Sequence, residues 1–261
     1  MLPDKRRQEI LRLNYEKQGI SIKELAHYFK VSNMTVLRDV KILKAQKKLD
    51  LVRGGVVPLE SIDDSSLFSV ENYDFKKRES LSEKQQIAEY CAENFIKEGN
   101  IIALEGGSTA GAMIRFLAKK KKITLITNGF FVLQEAYATL NKSSRVICTG
   151  GILETPYLLF LGPDVEHFFK TRHTDIAFIS CVAFDFTVGP MDSYPLDIQS
   201  KQSMLRSAQR RVLMIDKNKF NLRSVMQTID IKEITDLVTN SSISSDILEQ
   251  LQKLNVKLHL A

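Results

Sequence analysis

The sequence predicts two domains joined by a linker. Residues 1–58 form a small basic helical module with a short β wing, and residues 81–261 form an α/β domain with a mostly parallel sheet; 59–80 connect them. Three observations predict this. The first 58 residues hold 13 Lys and Arg against 6 Asp and Glu, so the whole +6 excess of the chain is concentrated there. Helix start and stop signals follow one another closely over the same stretch. From about residue 82, short apolar runs alternate with helical ones, the pattern of strands covered by helices on both faces.

Composition narrows the class. A chain of 261 residues with 44% hydrophobic and 26% charged content is long enough to bury a core, and wholesale disorder is excluded. No apolar run nears the roughly 18 residues of a membrane span. The start, Met1-Leu-Pro-Asp-Lys-Arg-Arg7, lacks an apolar signal core, and Cys91, Cys148 and Cys181 are scattered without CxxC spacing. Both features fit reduced thiols and a cytoplasmic location. No metal or cofactor is expected.

In the basic module, Ile10, Leu11 and Leu13 mark a helix over 4–18, stopped by Gly19. Ser21 and Glu24 have capping-box spacing and open a helix over 22–29. Ser32 is the next N-cap, starting a helix to about residue 46 in which Val36, Val40 and Leu43 recur on one face. Two helices of this size across so short a turn have helix-turn-helix dimensions, and the second would enter a major groove. Opposite its apolar stripe it offers Asn33, Met34, Leu37, Arg38 and Lys41. Asn33 and Arg38 suit base edges, Ser32, Lys41 and Lys44 suit phosphates, and Thr35 suits either or only back-bonds to its own helix. β-prone runs around Gly54-Gly55 predict a wing, with Arg53 set to touch a phosphate. A net charge of +7 on so small a segment is the footprint of a polyanion partner, here double-stranded DNA.

In the second domain, strands are expected at 100–105, 123–127, 145–149, 175–180, 211–216, 237–239 and 256–260. Helices are expected at 82–97, to about 117 after the first strand, after Asn128-Gly129, near 197–209 and near 244–254. Ligands of such sheets bind beyond the carboxyl ends of the strands. Those ends carry Gly106-Gly107-Ser108-Thr109, Thr127-Asn128 and Gly150-Gly151, loops whose backbone N–H groups and hydroxyls suit a phosphate. Asp185 and Gly189 follow a later strand, Asp197 and Lys201 stack four apart on a helix, and Lys219 lies in a basic loop after the next strand end.

Arg7-Gln-Glu-Ile-Leu, Ser21-Ile-Lys-Glu-Leu-Ala, Val31-Ser-Asn-Met-Thr-Val-Leu-Arg-Asp-Val40 and Gly54-Gly55 together resemble the DeoR family of bacterial transcriptional regulators. Leu37 stands where that family usually has an arginine, and an apolar contact from Leu37 to a thymine methyl is the expectation there. The resemblance continues through Glu105-Gly-Gly-Ser-Thr109, Thr127-Asn128, Gly150-Gly151, Phe178-Ile-Ser180, Asp197 with Lys201, and Asp216-Lys-Asn-Lys-Phe220. It departs at Glu105 for aspartate, at Ser180-Cys181 for glycine and at Asn218 for serine. The resemblance implies a winged helix-turn-helix ahead of a sensor domain similar to ribose-phosphate isomerase. It also implies a phosphorylated sugar as effector, sugar-metabolism operons as targets, repression relieved by the effector, and a homodimer or homotetramer.

Two other readings stand beside this one. A sugar-phosphate isomerase-like enzyme would need a general base, for which Glu105, Asp185 and Asp197 are available, but no HExxH, GxSxG or Cys/His pattern accompanies them. A ligand-free assembly module would keep the sensor fold alone.

Overall fold

The computed structural model describes residues 3–16, 20–46, 48–52, 55–57, 80–155 and 157–261. The chain divides into two compact units, Met1–Leu67 and Phe68–Ala261. Gly19, Arg53, Gly54 and the linker other than Ser80 lie outside the described residues.

The first unit runs α1 (Pro3–Glu16), β1 (Ile20–Ser21), α2 (Ile22–Phe29), α3 (Asn33–Ala45), β2 (Asp50–Val52) and β3 (Gly55–Val57). The capping box forms as the sequence predicts. Ser21 Oγ accepts from the Glu24 N–H at 3.1 Å, and the Glu24 carboxylate accepts from the Ser21 N–H at 3.1 Å. Ser32 caps α3 by accepting from the Thr35 N–H at 3.2 Å. Ile10, Leu25, Val36, Val40, Leu43, Leu49 and Val56 close one small core. The wing is antiparallel and three-stranded in the order β1-β3-β2. Its third member, β1, is only two residues long and lies ahead of α2, too short to leave a periodic signal.

The second unit opens with α4 (Leu81–Phe95), β4 (Ile101–Leu104), α5 (Ser108–Gly111), α6 (Ile114–Leu117), β5 (Thr124–Thr127), α7 (Phe130–Thr139) and β6 (Arg145–Cys148). There follow β7 (Ile152–Glu154), β8 (Leu159–Leu161), α8 (Pro163–Lys170), β9 (Thr174–Ser180), β10 (Ala183–Asp185) and β11 (Gly189–Asp192). It closes with α9 (Pro195–Arg206), β12 (Ala208–Met214), a 3-10 turn (Lys217–Lys219), β13 (Met226–Gln227), a second 3-10 turn (Ile231–Glu233), β14 (Asp236–Thr239), α10 (Ser245–Gln252) and β15 (Lys257–Leu260).

Seven strands form one sheet in the order β15-β14-β12-β9-β4-β5-β6, parallel throughout. Alternate residues feed two cores. Ile102, Leu104, Ile176, Phe178, Val212 and Met214 pack under α4 to α7, whereas Ala103, Ala177, Ile179 and Leu213 pack under α8, α9 and α10. After β4 the chain moves outward to β5 and β6; after β9 it moves the other way, to β12. The switch point, where such sheets open a crevice, therefore lies between the ends of β4 and β9.

Several boundaries differ from expectation. The helix expected to run to about 117 is broken into α5 and α6 just after Gly111, a residue that weakens helix interiors. The helix expected near 197–209 ends at Arg206 because Ala208 already joins the sheet, paired with Thr174 of β9. The hairpin β7–β8, the small sheet β10-β11-β13 and helix α8 were not anticipated.

Candidate functional site

In the first unit, α3 turns Val36, Val40 and Leu43 fully into the core, which leaves the opposite face outward. Ser32, Asn33, Met34, Arg38, Lys41 and Lys44 are exposed, Met34 to 69%. Thr35 is half-buried, its hydroxyl 2.9 Å from that of Ser32, so it closes the cap as well as facing outward. Leu37 is half-buried and packs against the core of the unit, which gives it a packing role that sequence reasoning did not assign. Sequence reasoning also missed what holds α3 in place. Asp39, on its buried side, accepts from Arg6 Nε of α1 at 2.6 Å, with both residues almost wholly buried. Thirty-three residues separate the pair, and no local pattern announces it.

In the second unit, the ladders place Leu104 beside Thr127 and Thr127 beside Cys148, so the first three predicted strand ends stand side by side. At the switch point Glu105 is 3% exposed. Its Oε1 accepts from the Ser180 N–H at 2.6 Å and from the Ser180 hydroxyl. Two positions that depart from the resembling pattern thus complete each other. Lys201 Nζ lies 3.4 Å from Glu105 Oε2, 2.9 Å from Asp192 Oδ2 and 3.0 Å from Asp197 Oδ2. Asp192, at the end of β11, was not among the expected residues; Thr228 Oγ1 and the Val182 N–H also donate to it, at 2.8 and 3.1 Å.

Three carboxylates around one ammonium leave an excess of buried negative charge. Burial pushes the Glu105 carboxyl up to about 7; Lys201 opposes this, and Asp197 and Asp192 reinforce it. Burial alone would lower the Lys201 pKa, but Asp192, Asp197 and Glu105 hold it well above its ordinary value. An ammonium has three N–H donors, and three carboxylates surround this one. Lys201 therefore anchors the crevice wall, hydrogen-bonded to Asp192 and flanked by Glu105 and Asp197.

The glycine loop sits directly above this cluster. A Cβ on Gly107 would come within 2.6 Å of Glu105 Oε1 and 3.0 Å of Ser180 Oγ, so only glycine fits over the Glu105–Ser180 contact. Ser108 is half-buried and Thr109 buried at the start of α5. Thr127 is wholly buried and accepts from the Gly129 N–H at 3.0 Å. Asn128, 1% exposed, donates through Nδ2 to the Phe160 carbonyl of β8 at 3.3 Å, while its Oδ1 has no partner. An orphaned buried carbonyl oxygen at a strand end is a place for a ligand hydroxyl.

The other expected residues stand further off. Gly150 and Gly151 follow β6, two strands from β4, with φ of 71° and 102°. A Cβ on Gly151 would lie 2.8 Å from the Leu161 carbonyl oxygen, so the hairpin beneath it explains that glycine. Asp185 and Gly189 pair across the β10–β11 hairpin. The Asp185 carboxylate is held by Arg223 at 2.6 Å and by the N–H groups of Thr187 and Val188, and these bonds keep its pKa below the ordinary value. It is not brought to the Glu105 cluster. Lys219, in the 3-10 turn after β12, lies close enough to Cys181 for its charge to act on that buried thiol. Among the described residues, no helix is long and apolar enough to cross a membrane.

The chain matches the DeoR-like helix-turn-helix domain over residues 6–62 and the DeoR C-terminal sensor domain over residues 79–241. It is 29% identical to the HTH-type transcriptional regulator YulB of Bacillus subtilis, covering 99% of this chain and 96% of that protein. It is 27% identical to the L-fucose operon activator of Haemophilus influenzae, covering 92% and 94%. Among solved structures, ribose 5-phosphate isomerase A of Methanocaldococcus jannaschii aligns with 52% of this chain and 53% of its own, at 19% identity and a TM-score of 0.38. With both of its units matched in order and relatives of the same kind along nearly its whole length, this chain belongs to the DeoR family of transcriptional regulators, a helix-turn-helix domain followed by a sensor domain.

Proposed function

We propose that this regulator is a repressor of a sugar-metabolism operon, released from its operator when a phosphorylated sugar binds at the switch-point crevice. The proposed DNA contacts are Ser32 at the N-cap of α3, Asn33, Thr35, Arg38, Lys41 and Lys44 on that helix, and Arg53. The observation that carries this half is the outward face of α3 beside its fully buried Val36, Val40 and Leu43 stripe. The proposed ligand contacts are the backbone of Gly107, Ser108 and Thr109 for the phosphate and Asn128 Oδ1 for a sugar hydroxyl, with Glu105, Asp197 and Lys201 forming the wall. The unpartnered Asn128 oxygen supports that half. A homodimer or homotetramer on a pseudo-palindromic operator suits a paired recognition helix.

The sign of regulation is open to direct test, since a relative is named an activator. An operator-shift titration with DNA from upstream of the protein's own operon, with and without a panel of sugar phosphates, examines both halves. Release by one of the sugar phosphates is the expected outcome. Tighter binding in its presence would replace repression with activation. An unshifted fragment would overturn the operator assignment, and no response to any of the panel would leave the crevice without its proposed ligand.

A further inference from the structure

Ser180 ends β9 and Glu105 follows β4, on either side of the switch point, and their side chains meet under the Gly107 loop. Glu105 spends one carboxylate oxygen on the Ser180 N–H and hydroxyl and turns the other toward Lys201. The crevice floor is therefore satisfied from within. Without the Ser180 side chain, Oε1 would keep the backbone N–H and have a lone pair to spare, facing space the size of a hydroxymethyl group. A CHOH unit, of nearly that size, is the increment by which one sugar differs from the next longer one.

We propose that Ser180 is a length-determining residue of this crevice. Its hydroxymethyl group fills the place of one CHOH unit of a ligand and donates to the Glu105 oxygen that this unit's hydroxyl would otherwise bond. Half-buried Ser180 does this from the crevice wall, while Lys201 and the Gly107 loop keep Glu105 from turning away. The inference rests on the reading of the crevice as a sugar-phosphate site and adds which lengths it takes. A shorter sugar phosphate fits the native floor, and its one-carbon-longer homologue is turned away.

The test is thermal-shift and calorimetric titration of the full-length protein with aldose phosphates and alditol phosphates of three, four, five and six carbons. Ser180→Gly removes the whole group and is expected to move the preferred length up by one carbon. Its relative affinity for the longer homologue should rise about three- to tenfold, the range of one added hydrogen bond. Ser180→Ala keeps the Cβ and opens only the hydroxyl's place; a smaller shift in the same direction is expected. An unchanged length preference in both folded variants would overturn the proposal while leaving the sugar-phosphate reading intact. A native protein that binds none of the panel would overturn both.

Discussion

Glu105 is held in the crevice wall by hydrogen bonds, yet it is buried there and has Asp197 and Asp192 nearby as well as Lys201. Its proton is bound more tightly in the folded chain, with a pKa of about 7, than at the ordinary value of 4.5. Between those values the native state binds more protons than the unfolded one, so stability should fall as pH rises from about 4.5 to 7 and then level off. Glu105→Gln should flatten that slope. Melting temperatures of both proteins from pH 5 to 8 check this, and parallel slopes would assign the titration to another group. On the DNA side, Arg38 and Lys41 are expected to behave differently. Arg38→Ala should cost roughly 1–3 kcal/mol on the preferred operator and relax its sequence preference, as for a side chain that reads a base. Lys41→Ala should weaken binding to all sequences alike and reduce the salt slope by about one. Equal losses on specific and random DNA for Arg38→Ala would move that residue to the phosphate class.

Single elements show where local signals suffice. α2 occupies 22–29 as the sequence predicts, because Ser21 and Glu24 satisfy its orphan N–H groups through neighbours three residues away. The inner strands of the large sheet were legible for a similar reason: each is a short apolar run whose two faces both enter a core. α8 was not, since it starts at Pro163 after Gly162 at φ 103° with no side-chain cap. β1 and β13 are two-residue strands recognised only by distant partners, and β10 and β11 form a hairpin of three- and four-residue strands. The crevice was half legible. Glu105, Asp197 and Lys201 were anticipated and do meet, but Asp192 and the Ser180 contact depend on tertiary approach, with Ser180 lying 75 residues from Glu105. The Arg6–Asp39 pair is of this second kind, and it pins α1 to α3. Asp39→Ala should destabilise the protein by about 3–5 kcal/mol, because it removes the carboxylate that faces the buried Arg6 guanidinium. The double variant Arg6→Met/Asp39→Leu should recover most of that loss. Chemical denaturation of all three proteins tests this, and a single variant as stable as the native chain would show that the pair contributes little.

Along the chain, positive charge is concentrated at the front, in residues 1–58. A front segment at +7 and a remainder near neutral predict DNA affinity that falls steeply with salt while ligand affinity at the crevice responds far less to it. Linkage makes a further demand: if the effector weakens operator binding by some factor, the operator must weaken effector binding by the same factor. Titrating the effector with operator DNA present and absent measures this, and unequal factors would mean that the two events are not coupled through one equilibrium. The parallel sheet also sets an order of events during synthesis. β4 pairs with β9, whose residues leave the ribosome some seventy positions later, and Ala103 waits for Ala177 across that gap. A growing chain therefore completes its DNA-reading unit while the crevice still lacks one wall. Any product truncated before Ser180 would be born deaf to metabolites, with its recognition helix already made.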